Sequence, residues 1–179
     1  MHRPVNVLDF IETIKRTNEI KKHSFPIGLR STFITGFPGE TEEQHALLKE
    51  TLLNEELFIR IGVLPYSQEA GTKAAELPNQ LPPDVIKRRY DELFKIQNEI
   101  AYRFNKTLLG NIEEVIIDEV QNDFLVARTR YDFPEVDCSV IIPRVGKKNS
   151  RKKSPMHKQY DIKIGDIVRC KLTEAGADG

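Results

Sequence analysis

From Leu29 to Glu40 the chain reads Leu-Arg-Ser-Thr-Phe-Ile-Thr-Gly-Phe-Pro-Gly-Glu, and few backbone paths are open to such a run. Thr32, Phe33, Ile34 and Thr35 are β-branched or aromatic, which predicts a buried strand. Gly36 and Gly39 then bracket Pro38: two residues that can take backbone angles closed to others, around one whose φ is fixed. Thr41 and Gln44 have the spacing of a capping box, which opens a helix. The predicted order is strand, glycine turn, helix N-terminus. In α/β sheets, ligands sit outside the carboxyl ends of strands, where bare backbone and orphan N–H groups face a polar guest. Many proteins use the same turn merely to reverse the chain, and the pattern alone leaves both readings open.

The flanking segments extend this unit. Val7, Leu8, Ile11, Ile14 and Ile20 are spaced as one face of a helix over residues 5–22, and His23 falls in the loop after it. A helix is predicted over 41–58, with Leu47, Leu48, Thr51, Leu52 and Phe58 available for packing, and a strand over 58–64. Strand, helix and strand with a short return make a βαβ unit and a parallel pair. Residues 65–79 form a loop at the second strand's carboxyl end. Proline at its first turn starts another helix that runs to about residue 105. Ile86, Tyr90, Leu93, Ile96, Ile100 and Phe104 form its apolar stripe, and Arg88, Arg89, Asp91, Glu92 and Lys95 are expected to face water. Beyond Gly110 the period changes to two, predicting strands at 112–120, 124–131, 137–142 and 166–172 and hence a small β-barrel. The fold class is therefore α/β plus all-β, with domains at 1–106 and 107–179.

Composition narrows the function classes. The 179 residues carry no net charge, so no global field argues for nucleic acid or a membrane surface. No apolar run approaches the roughly 20 residues of a bilayer span, which makes a cytoplasmic setting the expectation. The two cysteines, Cys138 and Cys170, fall in separate predicted strands and read as small core residues, with neither a disulfide framework nor a metal site implied.

Four segments in order resemble the radical-SAM methylthiotransferases: Arg30 to Glu43, Pro65 to Thr72, Tyr131 to Asp137 and Ile164 to Thr173. Asp-x-Pro-Glu-Val-Asp, at 132–137, is similar to the RimO branch, which acts on an aspartate of a small-subunit ribosomal protein, number twelve; the tRNA-modifying branch is its near neighbour. The resemblance implies the C-terminal part of a radical-SAM partial βα barrel followed by an OB-like TRAM β-barrel, cut short at its last strand. It implies S-adenosylmethionine and 4Fe-4S clusters as cofactors. Such clusters need a Cys-x-x-x-Cys-x-x-Cys loop, which this sequence lacks, so no catalytic or metal-binding residue is assigned and the missing N-terminal half of the enzyme is an expected partner. An incomplete barrel is expected to be poorly stable or aggregation-prone alone. The residues implied at the cofactor are Ile34, Gly36, Gly39 and Glu40 on the turn, Leu64, Pro65 and Tyr66 after the second strand, and Arg30, which either pairs with the cofactor's carboxylate or makes a structural salt bridge.

Charge bears on the branch. Residues 107–143 hold eight acids against two bases, Arg128 and Arg130, which suits a basic ribosomal protein better than a phosphate backbone. Asp132, Glu135 and Asp137 are the candidate substrate contacts; acids on alternating strand positions also describe an ordinary solvated face. Residues 144–158 hold seven bases and no acid, reading as a solvated insertion or as a contact for RNA. A stand-alone RNA- or ribosome-binding module is the alternative to an enzyme fragment.

Overall fold

The computed structural model describes residues 12, 13, 15, 16, 19, 29–54, 58–144 and 161–176. The five described positions between 12 and 19 are helical; the rest of the helix expected over 5–22, His23, and all but the first residue of the basic stretch 144–158 lie outside the described residues. The chain divides into two compact units between Ala101 and Tyr102.

The first unit holds β1 (Leu29–Thr35), α1 (Glu42–Asn54), β2 (Phe58–Pro65), one 3-10 turn (Lys73–Glu76) and α2, whose full span is Pro83–Thr107. β1 and β2 pair in parallel, Thr32 opposite Gly62 and Ile34 opposite Leu64, so the βαβ expectation holds. The helix expected over 41–58 is described over Glu42–Asn54, and Phe58 belongs to β2 instead. The core joins Leu29, Phe58, Ile61 and Val63 of the strands to Leu52 of α1 and to Leu93, Ile96 and Ile100 of α2, with Phe33, Leu48 and Tyr90 packed against it. The apolar stripe read along α2 thus faces the strands. Arg89 departs from expectation: at 2% exposure it is among the most buried residues of the unit, because carboxylates from the preceding turn and α1 meet it there.

In the second unit, β3 (Ile112–Val120), β4 (Phe124–Thr129), β5 (Val140–Pro143) and β6 (Ile167–Lys171) form an antiparallel sheet in the order β5-β4-β3-β6. Val115, Ile117, Leu125 and Ala127 point to one interior, joined by Val140, Ile142, Ile162, Val168 and Cys170. Period two is legible in the burial of β3 and β4, and the curled sheet fits a small β-barrel. Two strand limits need correction. β4 stops at Thr129 because Asp132 folds back to accept from the Thr129 hydroxyl at 2.6 Å. β5 starts at Val140, so Cys138 lies in a loop, where the Asn105 amide donates to its sulfur at 3.5 Å.

Candidate functional site

At the carboxyl end of β1 the chain turns as its residues require. Phe37 to Glu40 form a β-turn closed by the Glu40 N–H donating to the Phe37 carbonyl at 2.9 Å, with Pro38 and then Gly39, at φ +83°, in its centre. That is a type II turn, which needs the left-handed residue third. The capping box is also present: the Thr41 N–H donates to Gln44 Oε1 at 3.1 Å and the Gln44 N–H to Thr41 Oγ1 at 3.2 Å.

Glu40 is the hub of this corner. One carboxylate oxygen accepts from the Gly36 N–H at 2.8 Å; the other accepts from the Thr35 hydroxyl at 3.3 Å and from Arg89 at 2.8 Å. Arg89 also donates to the Glu40 carbonyl at 2.9 Å and to Glu42 at 2.9 Å. Buried His45 lies 3.7 Å from Glu40 and 3.1 Å from Glu92. Lys49, 2.5 Å away, holds the Glu92 carboxyl down to about 2, with His45 and Arg88 adding to the effect against the cost of burial. Arg89 and then Arg88 lower Glu42 in the same way. Sequence reasoning missed His45 and misplaced Arg89, since each meets a carboxylate more than forty residues away in the chain, Glu92 for His45 and Glu40 for Arg89.

The predicted cofactor residues therefore separate into two groups. Gly36 is buried, its N–H is taken by Glu40, and a Cβ there would lie 2.8 Å from Cγ1 and Cγ2 of Ile86. The need for glycine at this position is met inside the fold. Glu40 holds the corner's shape. Gly39 is exposed with open space around it, and its N–H donates to the Asn79 carbonyl at 3.0 Å. Ile34 and Leu64, by contrast, are cross-strand partners that stand 46% and 53% exposed, on the opposite strand face from the core residues Phe33 and Val63. Arg30 and Thr32 share the Ile34 side of β1 by the same alternation. Pro65 and Tyr66 line a cleft of about 420 Å³ with Gln68, Gln80, Ile86 and Tyr90. The Tyr66 ring packs edge-on against Phe37 at 5.4 Å, and its N–H donates to the Thr35 carbonyl. Its buried hydroxyl has no hydrogen-bond partner among the described residues.

In the second unit the three candidate acids also separate. Asp132 accepts from both the N–H and the hydroxyl of Thr129, and Asp137 accepts from the Phe133 N–H at 2.6 Å. Both carboxylates staple their own loop. Glu135 alone points outward, in a left-handed conformation at φ +63°. Among the other acids, Glu113 pairs with Arg130, and Asp118 with Arg128, so much of the acidic excess is spent inside the unit.

Among the described residues no group of three or more His, Cys, Asp or Glu side chains could hold a metal ion. Burial, and then the nearby Glu113, push the Cys170 thiol up, which opposes thiolate formation. No helix among the described residues is long and apolar enough to cross a membrane.

A parallel strand pair bare at its carboxyl end, in a chain that continues into a curled antiparallel sheet, defines a two-domain α/β plus all-β protein whose second part matches the TRAM domain family over residues 109–178. Relatives align along almost all of the chain. The ribosomal protein uS12 methylthiotransferase RimO of Proteus mirabilis is 36% identical over 98% of this chain and 35% of its own length, and that of Burkholderia vietnamiensis is 36% identical over 100% and 36%. The enzyme of that name from Christiangramia forsetii is 37% identical over 92% and 33%. The chain is similar to these RimO methylthiotransferases along nearly its whole length and spans about a third of the length of the curated relatives it matches.

Proposed function

We propose that this chain forms one wall of the S-adenosylmethionine pocket, and the substrate-gripping domain, of a radical-SAM methylthiotransferase that modifies an aspartate of ribosomal protein uS12 in the cytoplasm. The observation that carries the reading is the exposed Ile34–Leu64 pair at the carboxyl end of the strands, joined to the similarity to the methylthiotransferases. Parallel sheets are ordinarily covered on both faces, yet here helices cover one face while Ile34 and Leu64 stand exposed side by side on the other. Such a pair fits as the inner wall of a βα barrel, against which the flat apolar face of an adenine can lie.

The roles of the residues follow from their contacts. Ile34 and Leu64 supply apolar contact, and Pro65 and Tyr66 shape the rim. Arg30 lies on the same side of β1, within reach of a carboxylate. Gly36, Gly39 and Glu40 set the path of the corner that places Ile34. S-adenosylmethionine and the 4Fe-4S clusters supply the radical and sulfur chemistry when bound. The clusters do not fit this chain: it has two cysteines, apart from one another in sequence, and none in the required loop. Cluster ligands must come from a complementary segment.

The test is reconstitution. The chain is mixed anaerobically with a separately made segment bearing the Cys-x-x-x-Cys-x-x-Cys loop, iron and sulfide, and cleavage of S-adenosylmethionine is followed by chromatography. Cleavage that needs both pieces and falls tenfold or more in Ile34→Asp/Leu64→Asp is the expected result. An assembly that forms but cleaves nothing overturns the reading. The TRAM match favours one competitor, a module that binds RNA; tight tRNA binding with a steep salt slope and no complementation would identify it.

A further inference from the structure

Within Asp-Phe-Pro-Glu-Val-Asp, the two aspartates tie the ends into turns while Phe133, Glu135 and Val136 are exposed. Asp132 closes the turn after β4 through Thr129. Asp137 closes the next turn twice, accepting from the Phe133 N–H at 2.6 Å and donating its own N–H to the Phe133 carbonyl at 3.3 Å. Pro134 fixes one φ between them, and Glu135 is held at φ +63°, where a non-glycine residue resides only if its surroundings impose it. The effect is to display three side chains on a loop already shaped: Phe133 at 59% exposure, Val136 at 78%, and the Glu135 carboxylate. Among the described residues Glu135 makes no ion pair, and an outward valine contributes nothing to the core.

We infer that the Phe133–Asp137 loop is a preformed recognition loop, in which Phe133 and Val136 seat on a basic protein surface and Glu135 pairs with one of its cations. The inference rests on the reading of a ribosomal protein as substrate and moves the contact from Asp132 and Asp137, spent as staples, to the residues they display. Preorganisation lowers the ordering cost of binding, and exposed apolar anchors beside a charge of fixed sign are how small patches reach useful affinity. A protein suits these residues better than RNA does. Val136 has no ring on which a base can stack, and the nearest arginine in sequence, Arg130, is already paired with Glu113 at 3.3 Å.

The full 179-residue chain is titrated against labelled uS12, and separately against labelled tRNA, by fluorescence anisotropy. Phe133→Ser/Val136→Ser is expected to weaken uS12 binding at least tenfold in a chain that remains folded by circular dichroism, and Glu135→Lys at least threefold with a shallower salt dependence. Asp137→Asn, which loosens the staple while leaving both apolar side chains, is expected to lie between wild type and the double variant. Undiminished binding by the double variant overturns the inference, as does a wild-type chain that binds tRNA and not uS12, or neither. Cleavage of S-adenosylmethionine by the reconstituted assembly does not involve this loop. An assembly that cleaves it but whose uS12 binding ignores the variants would therefore retain the enzymatic reading and lose this one.

Discussion

Gly36 and Gly39 look equivalent in the sequence, and the structure gives them different penalties. Both sit in the left-handed region, at φ +79° and +83°, but a Cβ at 36 collides with Ile86 whereas one at 39 meets nothing. Gly39→Ala is expected to cost about 1 kcal/mol from backbone alone. Gly36→Ala adds overpacking and should cost roughly 2–4 kcal/mol in denaturant unfolding, with part recovered by Ile86→Ala in the same chain. Glu92 makes a prediction in pH. Its folded carboxyl titrates near 2, below the ordinary range, so it stabilises the fold fully above that range and the contribution disappears as pH falls toward about 2. Glu92→Gln should therefore flatten the acid limb of a stability profile taken between about pH 4.5 and about 2, leaving the neutral limb parallel to wild type. A profile of unchanged slope would show that Lys49, His45 and Arg88 do not hold this carboxylate in solution.

At the scale of elements, α2 is fastened to the β1 corner by Arg89 as well as by its apolar stripe. Removing one partner of a buried pair leaves the other uncompensated, so Arg89→Met is expected to cost roughly 3–5 kcal/mol, and Arg89→Met with Glu40→Gln less than the sum of the single changes. Thr41→Ala, which removes half of the capping box, should cost about 1 kcal/mol. These two cases show what a sequence displays and what it hides. The capping box, the type II turn and the alternation of β3 and β4 rest on neighbours within a few residues, so they are legible from spacing. Arg89 and its partner Glu40 are 49 residues apart; a helical wheel places Arg89 on the wet side because it cannot see the carboxylates that another element brings. The early end of β4 and the late start of β5 were hidden for a similar reason, since side-chain staples from Asp132 and Asp137 compete with the ladder there. In the candidate site, Ile34, Leu64, Pro65 and Tyr66 were legible as a strand end. The internal employment of Gly36 and Glu40 was not, because glycine and glutamate in a turn look the same whether they face a ligand or their own fold.

Over the whole molecule, the two units have separate cores, one of helices on a parallel pair and one inside an antiparallel sheet. Destabilising the first should therefore leave the second's unfolding transition in place, and Gly36→Ala is the probe, read by hydrogen exchange at β1–β2 against β3–β4. The first unit carries a conflict that its described residues do not resolve: a parallel pair is ordinarily buried on both faces, and one face here ends in exposed Ile34 and Leu64. If those side chains belonged to this unit's core, charging them would unfold it. Because they are exposed, Ile34→Asp and Leu64→Asp are each expected to change stability by no more than about 0.5 kcal/mol, while binding of a hydrophobic dye to the chain falls. Stability that drops by several kcal/mol instead would place both residues in a core contact and remove the bare wall on which the cofactor reading stands. Unchanged stability with lost dye binding, followed by lost complementation, would show that the face is built to be covered by a separate segment.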